Sequence, residues 1–314
     1  MAPPFTSNRW AEAGINQAGI NRVDQVLEQA AWLAEALRRV RPLRQRPSVI
    51  KLGGSAMEDA DTLAATLADV IALAELGLRP VLVHGGGKPI DRAMAEAGLT
   101  PRKIQGRRYT DEATLAVVVR VLRETINADL VARLRQAGGR AVGLHTGPLQ
   151  ALHGQRLLLP GLDLEPIDLG RVGQVTRVDV TLIDDFASAG IIPVIPSLAY
   201  DDAGGWLNVN ADTAAAAVAN ALHAERLVVI SDTPGLLRDR SDPASLIPRL
   251  DRAGCLELIR SGVIEAGMIP KVEAALECLD AGVGSVRLLD GRLPHVLLAD
   301  LLAEPPLGTT LFST

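Results

Sequence analysis

Lys51 stands inside an otherwise apolar run, Val49-Ile50-Lys51-Leu52, which stops at Gly53-Gly54-Ser55. A lysine in a buried strand is costly unless its ammonium reaches a charged partner. A second run, Val81-Leu82-Val83-His84, breaks in the same way into Gly85-Gly86-Gly87-Lys88. Two glycine loops at the ends of two strands, each beside a lysine and each feeding a helix, can offer backbone N–H groups to an anion. Phosphate or carboxylate is the chemistry such a pair would hold. Further charged candidates are Asp212, in Asn208-Val209-Asn210-Ala211-Asp212, and Lys271, after Gly267-Met268-Ile269-Pro270.

Each of these residues also has a plainer reading. Lys51 could lie on an edge strand and extend to water. Asp212 could simply cap a helix. Lys271 could be a first-turn surface residue, although a lysine at the positive end of a helix is unfavourable without an anion. His84 reads as a packed imidazole and is assigned no catalytic role. Cys255 and Cys278 lack CxxC spacing and read as buried free thiols in a reducing, cytoplasmic setting. The five histidines form no ligand cluster, and no residue is assigned to a metal.

The elements that must position these groups follow from the hydrophobic rhythm. Strands are expected at 49–52, 80–84, 141–145, 191–195, 227–230, 285–289 and 308–312. Helices are expected at 60–76, 89–97, 180–189, 252–261 and 271–281, with a long one from Asp111 broken near Asn127, and an alanine-rich one opening at 208–213. Residues 149–180 read as a hairpin region over a site, and the basic stretch 100–109 as irregular. This alternation gives an α/β fold, an open, mainly parallel twisted sheet sandwiched by helices. An extra helix, 23–40, precedes it, with apolar side chains at Val23, Val26, Leu27, Ala30, Leu33, Ala34, Leu37 and Val40. Residues 1–22 read as a flexible arm, not basic enough for a transit peptide.

Composition narrows the classes. Hydrophobic content is 48% but aromatic content only 3%, so the core must be built from Leu, Val, Ile and Ala. A net charge of −5 argues against a nucleic-acid surface. No apolar run reaches the ~18 residues of a membrane span. The usual nucleotide signatures are missing: the one Gly-Lys pair, Gly87-Lys88, is followed by proline, and no GxGxxG, HRD or DFG set is present.

Taken together, Ile50-Lys51-Leu52-Gly53-Gly54, His84-Gly85-Gly86-Gly87, Gly106-Arg107-Arg108, Asn208-Val209-Asn210-Ala211-Asp212, Ser231-Asp232-Thr233-Pro234-Gly235 and Gly267-Met268-Ile269-Pro270-Lys271 resemble the amino acid kinase family. The likeness is closest to members that phosphorylate N-acetyl-L-glutamate. It runs from Ser48 to about Lys271 and continues more weakly beyond. It implies ATP and Mg²⁺ as cofactors and a transferred phosphoryl group neutralised by Lys51 and Lys271, with Asp212 orienting both. It further implies that Gly86, Gly87, Arg108, Asn208 and Asn210 bind the acyl amino acid, and that Gly53, Gly54, Ser231, Asp232 and Gly235 bind ATP. Residues 48–198 would form the acyl-amino-acid lobe and 199–314 the ATP lobe, with 23–47 as helix and link.

Three features depart from the family pattern. His145-Thr146-Gly147-Pro148 replaces a more polar segment. The N-terminal helix is similar to that of arginine-inhibited, hexameric members, whereas Pro305–Thr310 lacks their Gly-x-Gly-Thr. The resemblance thus implies a homo-oligomer, a hexamer built as a trimer of dimers, with arginine as an effector still open. The competing readings are a same-fold kinase for another acid, such as carrier-protein-linked aminoadipate, and a catalytically inactive amino-acid sensor.

Overall fold

The computed structural model describes residues 17–53, 55–160, 165–264 and 268–313. Two compact units divide at Leu43/Arg44. The first holds helix α1 (Gln17–Val40), which starts earlier than the hydrophobic spacing predicts. Arg38 and Arg39 lie at its carbonyl-rich end, where cations are favoured, and Arg39 Nε donates to Glu35 one turn back at 2.9 Å. Val26, Leu27, Trp32, Leu33 and Leu37 of this helix are 41–59% exposed.

The second unit begins at Arg44 and alternates strands with helices. In chain order it runs β1 (Pro47–Leu52), α2 (Ala60–Glu75), β2 (Arg79–His84), α3 (Gly87–Glu96), β3 (Lys103–Ile104), β4 (Arg107–Arg108) and α4 (Glu112–Arg120). A π-helical turn, Val121–Asn127, leads into α5 (Ala128–Gln136) and β5 (Ala141–Gly143). Then come β6 (Leu152–Leu159), β7 (Ile167–Val178), α6 (Val180–Ser188), β8 (Ile192–Pro196), β9 (Leu198–Tyr200) and β10 (Trp206–Val209). The chain closes with α7 (Ala211–Ala221), β11 (Arg226–Ser231), β12 (Arg249–Asp251), α8 (Arg252–Arg260), α9 (Ile269–Asp280), β13 (Val286–Asp290), α10 (Val296–Leu302) and β14 (Thr309–Phe312).

Eight strands form one sheet in the order β12-β14-β13-β11-β1-β2-β8-β5, parallel except at β13/β14. β1, β2 and β11 are buried along almost their whole length, as expected for strands covered by helices on both faces. Aspartates cap the helices that do the covering: Asp59 accepts from Thr62 N at 2.7 Å, and Asp111 from Thr114 N at 2.8 Å. Among the described residues the buried core contains no aromatic side chain. In α7, Ala214, Ala215, Ala216 and Ala219 are all buried, and such small side chains let a helix lie close on the sheet.

β1 is central, with β2 on one side and β11 on the other, so the order of connection reverses there. Crevices at the carboxyl ends of such strands are where open α/β sheets bind ligands. Lys51 pairs in register with Val83 and Val229, which rules out the edge-strand alternative. The hairpin region becomes two long antiparallel strands, β6 and β7, which close with β9 and β10 into a small four-stranded barrel. Residues 103–108, read as irregular, form a two-stranded hairpin. Gln105 and Gly106 at its turn both have positive φ (46° and 76°), as a tight two-residue turn requires.

Candidate active site

The Lys51 side chain is 7% exposed, and its Nζ lies 2.8 Å from Asp212 Oδ1, whose side chain is 18% exposed. This close ion pair supplies what a lysine in a central strand needs. Asp212 is free for it because another residue caps α7. Asn210 Oδ1 accepts from Asp212 N at 2.8 Å and Thr213 N at 3.1 Å. The capping alternative for Asp212 is therefore corrected: the helix start is held by Asn210, and the Asp212 carboxylate faces β1.

The glycine loops join the strand ends. Gly53 N–H donates to Ile230 O at 3.2 Å, and Gly85 N–H donates to Leu52 O at 3.3 Å. A Cβ on Gly85 would stand 2.9 Å from Ala211 Cβ, so the loop approaches the start of α7 more closely than a side chain permits. α3 begins at Gly87 without a side-chain cap, which leaves its first N–H groups unspent. Lys88 turns outward to Glu58 at 2.7 Å and both side chains are substantially exposed, so it adds no charge to the loop. Gly54 lies outside the described residues.

Arg108 comes from the β3–β4 hairpin and is nearly buried. It pairs with Asp91 of α3 and lies 3.0 Å from Met94 Sδ. A guanidinium has five N–H donors, so this leaves others for a ligand. Asn208 sits on β10, not in the helix that follows, and its Nδ2 donates to Thr110 Oγ1 at 3.0 Å. Thr110, fully buried, in turn donates to the Arg108 carbonyl at 2.9 Å. One hydroxyl thus ties the hairpin to β10. Thr110 carries no motif of its own; its place two residues beyond Gly106-Arg107-Arg108 was the only signal.

Lys51, Gly53, Gly86, Gly87, Arg108, Asn208, Asn210 and Asp212 line one cavity of about 280 Å³. Lys103 and Arg107 of the hairpin also line it, so its charged walls are four cations against the single carboxylate of Asp212. That balance suits a small anion. Lys271, Ser231, Asp232 and Gly235 are not among its lining residues. Lys271 lies in the first turn of α9. Ser231 ends β11, one residue beyond the Ile230 carbonyl that takes Gly53 N–H, so its loop adjoins the first glycine loop. Gly235 has φ 132°, and a Cβ there would stand 2.6 Å from Thr309 Oγ1. The neighbouring Asp290 accepts from Arg292 Nε at 2.8 Å, another pair at the strand ends that motifs did not reveal.

Among the described residues no group of three His, Cys, Asp or Glu could hold a metal alone. His84 is wholly buried, and desolvation holds its pKa down at about 4. Unfolded chains take up that proton from ~6.5 downward, so this site's contribution to stability is full above that value and declines as pH falls toward 4.

Residues 46–290 match the sequence profile of the amino acid kinase family. The chain is 40% identical to the acetylglutamate kinase of Akkermansia muciniphila over 292 residues, covering 93% of this chain and 98% of that one. It is also 40% identical to the acetylglutamate kinase of a Synechocystis species over 295 residues, covering 93% and 97%. Among solved structures, N-acetylglutamate synthase from Neisseria gonorrhoeae, complexed with coenzyme A and N-acetyl-glutamate, superposes with a TM-score of 0.79 at 27% identity. That match covers 91% of this chain but only 63% of the synthase chain. Carbamate kinase from Giardia lamblia, at 16% identity and a TM-score of 0.57, shares the fold.

Proposed function

This chain belongs to the amino acid kinase family, and from that we propose that it transfers the γ-phosphoryl group of ATP to the side-chain carboxylate of N-acetyl-L-glutamate. The products are ADP and N-acetyl-L-glutamyl 5-phosphate, as in arginine biosynthesis. The observation that carries this reading is the small cationic cavity that unites the Lys51–Asp212 pair with Arg108 and Asn208.

The nucleophile needs no general base, because a glutamate-type carboxylate titrates at ~4.3 and is ionised at neutral pH. One carboxylate oxygen attacks the γ-phosphorus while the bond to the β–γ bridging oxygen breaks. The obstacle is bringing one anion to another. Lys51 and Lys271 neutralise the moving phosphoryl charge, and Asp212 holds the lysines in place. Gly86 and Gly87 offer N–H groups to the reacting oxygens. Arg108 pairs with the α-carboxylate, aided by Asn208 and Asn210. Gly53, Gly54, Ser231, Asp232 and Gly235 border the nucleotide, and Mg²⁺, when bound, supplies further neutralisation at its phosphates. On this reading 48–198 serves the acyl amino acid and 199–314 serves ATP.

Trapping the acyl phosphate with hydroxylamine tests the substrate directly. With ATP and Mg²⁺, hydroxamate should form with N-acetylglutamate far faster than with glutamate, N-acetylaspartate or an aminoadipate adduct. Equal turnover of free and acetylated glutamate would refute the assignment.

The exposed apolar residues of α1 support a further part of the proposal: a second copy covers them, joining dimers into a hexamer. Removing residues 1–44 should lower the particle mass to that of a dimer by light scattering and leave catalysis largely intact. A full-length protein that is already dimeric would overturn this, and titration with arginine in the same assay decides whether it acts as an effector. Cys255 and Cys278 are both free and buried, which suits a reducing compartment such as the cytoplasm as the place of action.

A further inference from the structure

His84 takes no part in the charge chemistry above, yet it immediately precedes the second glycine loop and is completely buried. A buried imidazole must satisfy both ring nitrogens. Asn127 Nδ2 lies 3.0 Å from His84 Nε2 and 3.0 Å from the Val194 carbonyl oxygen. A carbonyl demands a donor, so the amide nitrogen faces it, and His84 Nε2 is the acceptor of the same NH₂ group. The ring proton then belongs on Nδ1, which lies 3.2 Å from the Gly85 carbonyl oxygen and donates to it. These contacts select one neutral tautomer.

The consequence lies on the other side of the peptide plane. The Gly85 carbonyl and the Gly86 N–H share one planar unit and point in opposite directions. A carbonyl held inward on the imidazole turns the Gly86 N–H outward, and Gly86 lines the cavity beside Lys51. That N–H makes no hydrogen bond among the described residues. The surroundings are shaped to bring Asn127 to this spot. It ends the π-helical turn that interrupts the α4–α5 helix, a local defect that often marks a functional position. Gly143 makes room for it, since a Cβ there would stand 2.3 Å from Asn127 Oδ1.

The geometry points to His84, held as its Nδ1–H tautomer by Asn127, as a positioning residue that aims the Gly86 N–H at the oxygens gaining charge during transfer. The role rests on the kinase reading above, whereas the tautomer does not, so the two are tested separately. Long-range ¹H–¹⁵N NMR of the wild-type protein labelled at histidine, with the His84 signal assigned by its loss in a variant, should show a proton on Nδ1 and none on Nε2 at neutral pH. A proton on Nε2 would overturn the proposal whatever the enzyme's activity.

The functional arm compares two substitutions. In His84→Asn the amide nitrogen takes the place of Nδ1 and can still donate to Gly85, whereas His84→Gln places its polar end near Nε2 and leaves that carbonyl unheld. We expect His84→Gln to lower kcat by about tenfold to a hundredfold, somewhat less than outright loss of an oxyanion donor, with both KM values within about twofold. His84→Asn should recover most of the rate. Equal losses in the two variants, or a loss confined to KM, would show that His84 merely packs. A wild-type protein inactive on acetylated glutamate, yet carrying the Nδ1 proton, would instead count against the substrate assignment.

Discussion

Lys51→Ala should retain the fold and bind N-acetylglutamate with nearly normal KM, while kcat falls by about a hundredfold, or ~3 kcal/mol of transition-state stabilisation. The ammonium is carried by a central strand, flanked in register by Val83 and Val229, and Lys51 lines the cavity. Its attraction to the phosphoryl oxygens grows as charge moves toward the leaving group, so the loss belongs to the transition state. A stability cost accompanies it, because Asp212 is left without its cation. Asp212 keeps some solvent contact, so that cost should fall below the ~3–5 kcal/mol of breaking a fully buried pair. The Lys51→Ala/Asp212→Ala double variant separates the two effects: stability should partly return and kcat should not. Lys271→Ala should lower kcat similarly with little change in stability, since Lys271 is only partly buried at a helix start. Wild-type kcat in either single variant would refute the role given to that lysine.

Arg108→Ala should act on binding. Its proposed partner, the α-carboxylate, lies away from the reacting end, so ground and transition states share the contact. We expect KM for the acid to rise by about thirtyfold or more, as for truncation of a buried charge pair worth ~2–5 kcal/mol, while KM for ATP stays near normal. Arg108→Lys should recover only part, because an ammonium lacks the planar, paired fork that can hold Asp91 and grip a ligand carboxylate bidentately. Asp91→Asn provides the control: the guanidinium keeps its charge but loses its anchor, and KM should rise less than in Arg108→Ala. Steady-state kinetics with each substrate varied in turn checks all three. A change in the ATP constant alone would place Arg108 in the nucleotide's half of the reaction.

Lys51 was legible because a single charge interrupts an apolar strand, and the strand ends because glycines follow them. Its pairing with Asp212 followed only from the family resemblance, since no local pattern says that Asn210, two residues earlier, takes over the capping of α7. The turn at Gln105-Gly106 escaped because glutamine is an uncommon residue at positive φ, so the hairpin that carries Arg108 read as irregular. Thr110 and Asn127 carry no chemistry in the sequence. They matter only through what they touch, Asn208 and the Arg108 carbonyl in one case, His84 and Val194 in the other. The interruption near Asn127 was visible as a break in helical spacing, but its nature, a π-helical turn, depends on tertiary contacts. Short strands such as Trp206–Val209 and Arg249–Asp251 offer too few residues for an alternation to register.

The most direct measurement of the central claim is a crystal structure with N-acetyl-L-glutamate and a non-hydrolysable ATP analogue bound together. The α-carboxylate should lie against Arg108 and Asn208. The side-chain carboxylate should lie within hydrogen-bonding distance of the Gly86 and Gly87 N–H groups, facing the γ-phosphate across Lys51. A nucleotide base or ribose occupying the cavity between Lys51 and Arg108, with the acyl amino acid elsewhere, would contradict the account.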